Sequence, residues 1–391
     1  MRILFITPYY HPQLKFGGPP QKIHSIACGL TLRGHDMRLA TFDSENAANR
    51  ERRSVDSIPV QYLPWIGKGL RQLPLDRRSL STAIRGADLI HCYGLYNLIC
   101  PIAMHFARRS RRPAVLEPLG MYPPRARNRC AKRIYNAVLT RRMIRQSRAV
   151  VAASTGEMRD LQEIVPPSKL VFRPNGIDLE KFKNLPPGDK LRICWNLSPQ
   201  ERVVLFIGRI SPIKNLEQLI VAFAEAEIPK TQLILVGPSS EERYMRKLRS
   251  IVSAKQLERR VKFAGPLYEE EQRAALGLAD LFVLPSLNES FGNAAGEAVA
   301  AGVPVLLTNT CGIAPLIDGR AGLAVPLGVE SLAEGLKVML DPAQRDALTA
   351  QRERVKWELS WDDPVRQTEQ LYQRIIEEKG ERRSYGIESR K

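Results

Sequence analysis

The sequence predicts an α/β protein made of two doubly wound domains in series. Short apolar, strand-like runs alternate with helical patterns along nearly the whole chain, which is the signature of parallel α/β layers. At 391 residues the chain exceeds one ordinary domain. A Pro-rich, polar stretch, 174–199, containing Pro186-Pro187-Gly188, divides the alternation into two series and reads as a linker.

In the first series the strand candidates are Arg2–Thr7, Met37–Phe42, Val60–Leu63, Leu89–Cys92, Ala114–Glu117, Ala149–Ala153 and Leu170–Arg173. A helix over Pro20–Arg33 should stop at Gly34, and another should start at Ser154 with Glu157 as its capping-box partner. The second series has strands at Val203–Ile207, Gln232–Val236, Val261–Phe263, Leu281–Leu284, Val303–Leu307 and Leu323–Val325. Helices near 216–226, 241–254, 269–278 and 292–301 separate them. A terminal helix over Trp361–Glu378 is apolar at Val365, Leu371, Tyr372, Ile375 and Ile376, and the tail from Gly380 reads as loose. The expected boundaries are 1–173, a linker 174–199, 200–358, and 359–391 for the terminal helix and tail. Two such domains would meet across a cleft, with ligands beyond the carboxyl ends of strands.

Composition narrows the function. The six cysteines are scattered, with no C-x-x-C pair and no Cys/His cluster at metal-ligand spacing, so they read as reduced, mostly core thiols. No apolar run is long enough to span a bilayer, and the opening apolar run stops at Thr7-Pro8, too short for a signal peptide. The net charge of +18 is uneven: residues 1–180 hold 29 Lys and Arg against 13 acids, and 181–391 hold 30 against 28. Within the basic half, Arg125, Arg129, Lys132, Arg133, Arg141, Arg142 and Arg145 occur without an acid, interleaved with Ile134, Tyr135, Val138, Leu139, Met143 and Ile144. This pattern fits a basic amphipathic helix on an anionic membrane surface, and equally a surface helix whose apolar stripe faces the core. No nucleic-acid-binding motif accompanies the charge, so a noncatalytic nucleic-acid-binding protein is the weaker alternative and no nucleic-acid partner is expected.

Four segments follow predicted strands. Gly17-Gly18 lie in the first loop, ahead of a helix, where a glycine backbone can reach a phosphate. Gly208-Arg209 and Lys214-Asn215 supply a guanidinium fork and an ammonium suited to a diphosphate, although a solvated surface pair would look the same. Pro174-Asn175-Gly176-Ile177-Asp178 is a turn signal at the head of the linker. Glu289 and Glu297, eight apart, bracket Ser290, Phe291, Gly292 and Asn293 before an Ala-rich helix. The run could seat a phosphate between two carboxylates, and a plain helix start is the alternative.

Taken together, and in this order, these motifs resemble the retaining glycosyltransferase family 4 group, whose fold, GT-B, is two Rossmann-like domains. The likeness extends through Ala298 to Pro304 and to Trp361-Asp362. It implies a terminal helix that crosses back to the first domain and a nucleotide-sugar donor, a UDP- or GDP-sugar, held mainly by the second. It further implies that Arg209 and Lys214 contact the diphosphate, Glu297 the ribose and Glu289 the sugar. Gly17, Gly18, Asn175, Gly208, Asn215, Ser290, Phe291, Gly292 and Asn293 complete the expected donor site. There is no Asp-x-Asp motif, so neither a metal nor another cofactor is expected. Two cations, a helix dipole and backbone amides would stabilise the leaving diphosphate.

The sequence departs from the family at two places. Glu117-Pro118-Leu119-Gly120-Met121-Tyr122 lacks the histidine many members carry there, and its Gly-Met pair resembles bacterial surface-polysaccharide transferases. Pro315 stands where the family has a glutamate. Gly120 and Met121, with His91 at a strand end, are the candidates for the acceptor side, a buried structural role being the alternative for His91. The expectation is a cytoplasmic enzyme, peripheral to the inner face of the cell membrane, that moves a sugar with retention to a lipid-linked or surface-polysaccharide (lipopolysaccharide or exopolysaccharide) precursor. A transferase acting on a small soluble acceptor would share every donor motif.

Overall fold

A computed structural model describes residues 1–11, 18–124, 129–239 and 241–388, with backbone alone for Arg129 and for 380–388. The chain divides into two compact units, residues 1–176 with 361–391, and residues 177–360.

The first unit carries β1 (Arg2–Ile6), β2 (Asp36–Thr41), β3 (Arg52–Val55), β4 (Ile58–Tyr62), β5 (Trp65–Ile66), β6 (Leu73–Pro74), β7 (Leu89–Tyr93), β8 (Ala114–Glu117), β9 (Ala149–Ala152) and β10 (Leu170–Phe172). Eight of these strands form one sheet in the order β10-β9-β8-β7-β1-β2-β4-β3, parallel but for the antiparallel β3–β4 edge. Phe5 of β1 pairs with Leu39 of β2 and His91 of β7, so the order reverses at β1 and ligand-binding loops belong beyond Ile6 and Tyr93. The short strands β3, β5 and β6 were not expected, because Arg52-Arg53-Ser54 is exposed and lacks alternation.

The helix Gly18–Leu32 packs Ile23, Ile26 and Leu30 against one face of this sheet, and Gly34 takes the left-handed φ of 83° just past its end. The terminal helix covers the same face with Val365, Leu371, Tyr372 and Ile375. A side chain at Gly29 would come within 2.5 Å of Val365, so glycine there lets the two helices approach. This helix runs from Asp362 to Glu388, through the stretch read from sequence as a loose tail, and Asp362 and Asp363 are its first-turn acids.

The second unit has β11 (Arg202–Ile207), β12 (Thr231–Val236), β13 (Val261–Gly265), β14 (Leu281–Leu284), β15 (Val305–Thr308) and β16 (Gly322–Val325), all parallel, in the order β13-β12-β11-β14-β15-β16. This is the 3-2-1-4-5-6 order of a dinucleotide-binding fold, whose switch point lies between its first and fourth strands, here β11 and β14. The inner strands β12, β14 and β15 are buried along their length, as a sheet covered on both faces requires, and the edge strands β13 and β16 are partly open.

The supposed linker is mostly part of this second unit. Residues 177–199 include the 3-10 turn Leu179–Phe182 and the helix Asp189–Cys194. Phe182 and Trp195 are buried, and a side chain at Gly188 would strike Leu278 at 2.3 Å. The prolines suggested a spacer, but the apolar residues between them dock. The cysteines also differ from expectation: Cys92, Cys100 and Cys311 are buried, whereas Cys130 and Cys194 are exposed.

Candidate active site

In the second unit the loops after β11 and β14 converge at the switch point. Gly208 follows β11, and a side chain there would meet the Phe206 ring at 3.0 Å and the Lys214 side chain at 3.7 Å. Gly237, after β12, has φ 142° and sits so close that a Cβ would lie 1.9 Å from the Gly208 carbonyl oxygen. Only glycine allows that backbone approach. Arg209 is exposed, and Pro212–Lys214 form a single 3-10 turn. Asn215, expected to touch the donor, is instead buried: its backbone is left-handed, with φ 55°, and its amide donates to Gln218 Oε1 at 2.9 Å. It turns the chain into the helix Leu216–Glu225, so it positions Lys214.

The loop after β14 reaches the same place. Leu287 N–H donates to the Ile213 carbonyl at 2.9 Å, which ties the two loops together. Glu289 forms an ion pair with Lys214, both largely shielded, and its Oε2 also lies 3.5 Å from the Ser286 hydroxyl. The strand-like pairing of Glu289 with Cys311 fixes its backbone, with Gly312 N–H donating to the Glu289 carbonyl at 3.0 Å. Gly292, at φ 110°, starts the helix Asn293–Ala300, and a side chain there would meet Ile313 at 3.1 Å and Leu284 at 3.3 Å. Phe291 is buried in the core, so of that residue only the backbone is available to a ligand. Ser290 and Asn293 are half-buried beside it.

Glu297 lies on the helix one turn past Asn293 and is half-buried. Burial raises its carboxyl to about 7, and Lys181 opposes the rise. A carboxylate in such a place gains from hydroxyl donors supplied by a ligand. A groove of about 460 Å³ lined by Asp280, Arg345 and Arg352 lies at the amino ends of β14 and β15, the wrong end of the sheet for a ligand.

In the first unit, the residues read as acceptor-side candidates divide. His91 is fully buried, so it faces no ligand. Its Nδ1 is 2.5 Å from the Tyr372 hydroxyl and its Nε2 is 3.6 Å from Glu117. Arg173 and Lys22 both pair with the buried Glu117, the Arg173 guanidinium at 2.6 Å. Burial pushes the Glu117 carboxyl up, but Arg173, Lys22 and His91 outweigh it and hold the group at about 2. Burial lowers His91 to about 3, with Glu117 opposing. These are structural charges inside the unit, and a strand-end histidine gave no sequence sign of the distant tyrosine.

Gly120 and Met121 are half-buried in the loop after β8. Leu119 and Gly120 both take positive φ, 61° and 70°, and the turn is clamped by Glu157, which accepts from Gly120 N–H at 2.6 Å and from Ala153 N–H at 2.9 Å. Ser154 caps its helix as expected, but Glu157 spends its carboxylate on this loop and not on the reciprocal cap. Met121 Sδ accepts from Leu95 N–H at 3.2 Å, and its methyl group would meet a side chain at Gly94 at 3.6 Å. Gly18 is half-buried at the start of its helix, and Asn175 is half-buried. Gly176 is packed so tightly on Trp361 that a side chain there would come within 2.6 Å. Gly17 and Arg125 lie outside the described residues.

The basic segment is one helical run: Arg129–Tyr135, a π-type turn Asn136–Thr140, and Arg141–Gln146. Its apolar side chains are divided between the core and the surface. Tyr135, Met143 and Ile144 enter the core, with the Tyr135 hydroxyl donating to the Asn97 carbonyl at 2.6 Å. Ile134 and Val138, one turn apart, face outward and are 68% and 60% exposed, with Arg133, Arg141, Arg142 and Arg145 exposed on the same helical run. Lys132 bends away, 4.9 Å over the Tyr96 ring. Among the described residues no helix is long and apolar enough to cross a membrane.

The second unit thus belongs to the class of α/β folds that seat a ligand at the switch point of a doubly wound sheet, here beside a Lys–Glu pair and two backbone-exposing glycines. Comparison with known proteins narrows the class. Residues 17–176 match the family model for the glycosyl transferase 4-like domain, and 189–354 match glycosyl transferases group 1. The D-inositol 3-phosphate glycosyltransferase of Kineococcus radiotolerans is 31% identical over 94% of this chain and 92% of its own. The GDP-mannose:cellobiosyl-diphosphopolyprenol alpha-mannosyltransferase of Komagataeibacter xylinus is 26% identical over 96% and 94%. Anabaena HepE, solved in complex with UDP and glucose, superposes with a TM-score of 0.75 at 22% identity, covering 95% of this chain and 99% of that one, and establishes the GT-B fold. The chain belongs to the group 1, family 4-type glycosyltransferases, enzymes that act on nucleotide sugars.

Proposed function

We propose that this enzyme transfers a sugar from a UDP- or GDP-sugar, with retention and without a metal, to a lipid-linked or surface-polysaccharide precursor at the cytoplasmic face of an anionic membrane. The convergence of Lys214, Glu289, Gly208 and Gly292 at the β11/β14 switch point carries the reading. Lys214 and the exposed Arg209 are the cations for a diphosphate, and the backbone at Gly292 and Asn293 opens a helix start to it. In the free enzyme Glu289 holds Lys214 in place. With donor bound, Glu289 takes the sugar hydroxyls and Glu297 the ribose. As the glycosidic bond to the diphosphate breaks, negative charge grows on the leaving oxygens, where the fixed cations and amides stabilise it.

Two observations support the lipid-linked acceptor. The Komagataeibacter relative acts, by name, on a diphosphopolyprenol. The exposed Ile134 and Val138, on the same helical run as four exposed arginines, form a surface that gains by lying on anionic lipid, at about 1 kcal/mol per arginine near the headgroups plus the burial of two apolar side chains.

Incubation with a panel of nucleotide sugars and a membrane extract should release nucleoside diphosphate, and Lys214→Ala or Glu289→Gln should cut that release at least about 100-fold. Unchanged release in both variants overturns the site. Turnover of a water-soluble acceptor with no affinity for anionic vesicles would favour the soluble-acceptor reading instead.

A further inference from the structure

Among the described residues one set of histidine and acid side chains converges on a common point. His11, His24 and Asp56 place their donor atoms within 4.8 Å of one another. They come from three separate stretches: the loop after β1, the helix Gly18–Leu32, and the two-residue turn between β3 and β4. Sequence spacing concealed the set, since no two of its members are near each other in the chain. Two of the chain's five histidines meet here.

His24 Nε2 pairs with Asp56 Oδ2 at 2.9 Å. Ligand atoms held tetrahedrally about 2.0–2.3 Å from a zinc ion stand about 3.3–3.7 Å apart, so small side-chain adjustments admit the ion. His11 stacks on His24 with ring centroids 4.5 Å apart and planes at 16°. The buried Tyr10 hydroxyl sits 2.7 Å from His24 Nδ1, which directs Nε2 toward Asp56. A partner on the second ring nitrogen is what a metal-binding histidine ordinarily has. Asp56 is presented by a turn in which it and Ser57 both take positive φ, 46° and 66°, and its side chain is 69% exposed, which leaves a path for an ion to enter.

We propose that His11, His24 and Asp56 form a binding site for a divalent transition ion of the zinc class, with solvent completing its shell. Imidazole nitrogens favour such an ion over magnesium or calcium. Binding requires both imidazoles neutral at their ligating nitrogens. The ion would join the loop after β1, the first helix and the β3–β4 turn, three elements of the first unit. None of these three residues is assigned to the donor site.

The test is titration of the tag-free, chelator-stripped full-length chain with Zn2+ by calorimetry, and with Co2+ by absorption. One ion should bind per chain, the unfolding temperature should rise with Zn2+, and Co2+ should give a visible absorption that saturates at one equivalent and is displaced by Zn2+. His11→Ala and Asp56→Asn, both of which leave the helix intact, should each weaken Zn2+ at least about tenfold, and Tyr10→Phe should do so about 10–100-fold. Absence of saturable one-to-one binding, affinity unchanged in His11→Ala and Asp56→Asn, or Mg2+ binding as tight as Zn2+ would overturn the proposal.

Discussion

The Glu297 carboxyl offers a test of the donor site that needs no acceptor. Its folded-state value is about 7 against an ordinary 4.5, chiefly because it is buried. The folded protein therefore holds this proton more tightly than the unfolded chain does. The stabilisation this provides is complete below about pH 4.5 and is lost as pH rises through about 7. The difference corresponds to about 3 kcal/mol, an upper bound because the residue is only half-buried. Glu297→Gln keeps the shape and removes the charge, so the variant should match the parent at pH 5 and exceed it by up to about 3 kcal/mol at pH 8. In urea this moves the midpoint up by about 1 M or more, read by tryptophan fluorescence, with the buried Trp195 reporting the second unit. The same substitution removes the proposed acceptor for ribose hydroxyls. Nucleoside diphosphate affinity at pH 8 should then fall about tenfold or more, the worth of a hydrogen bond to a charged group, and the parent's affinity should rise with pH through about 7. Parallel stability profiles for parent and variant would refute the burial argument. Stabilisation without loss of nucleotide affinity would refute the ribose assignment alone.

Four further outcomes follow from other parts of the structure. Gly237→Ala should lower turnover at least about tenfold while the protein stays folded, because its Cβ would push on the Gly208 carbonyl; unchanged steady-state rates would remove that loop from the site. Glu117→Gln strands Arg173 and Lys22 in the core and should cost about 3–5 kcal/mol, a fall of roughly 6–20 °C in melting temperature by calorimetry. In the parent, His91 is neutral when folded, so stability should decline as pH drops below 6.5 toward about 3, and Glu117 should steepen the loss from 4.5 down to about 2. Ile134→Asp with Val138→Asp should weaken co-sedimentation with anionic vesicles about 100-fold while leaving the fold intact, since both side chains are exposed.

Much of this was legible in the sequence, and the exceptions share a cause. The strands of both sheets carry their own apolar runs, so all but β3, β5 and β6 were located within one or two residues. Lys214 and Glu289 could be singled out because each follows a strand, and the fold does join them. What sequence could not give was pairing across distance. Asn215 looked like a ligand and proved to be a left-handed turn residue; Glu157 looked like a cap and proved to clamp the Gly120 loop. His91 could be read as facing a ligand or as structural, and Tyr372, 281 positions away, is what makes it structural. The linker misled because its prolines outweighed Phe182 and Trp195, whose burial depends on surfaces formed elsewhere in the chain.

The bond between Tyr372 and His91 also bears on the order of synthesis. The first unit is interrupted by residues 177–360, so its last helix leaves the ribosome after that whole insertion. At about 5–20 residues per second the delay is about 10–40 s. Throughout that interval the sheet face that Val365, Leu371 and Tyr372 will cover is bare, and His91 and the charges around Glu117 are without their lid. The nascent first unit is therefore a natural client for a chaperone, and a chain ending at Ser360 would keep that face exposed for as long as it lived.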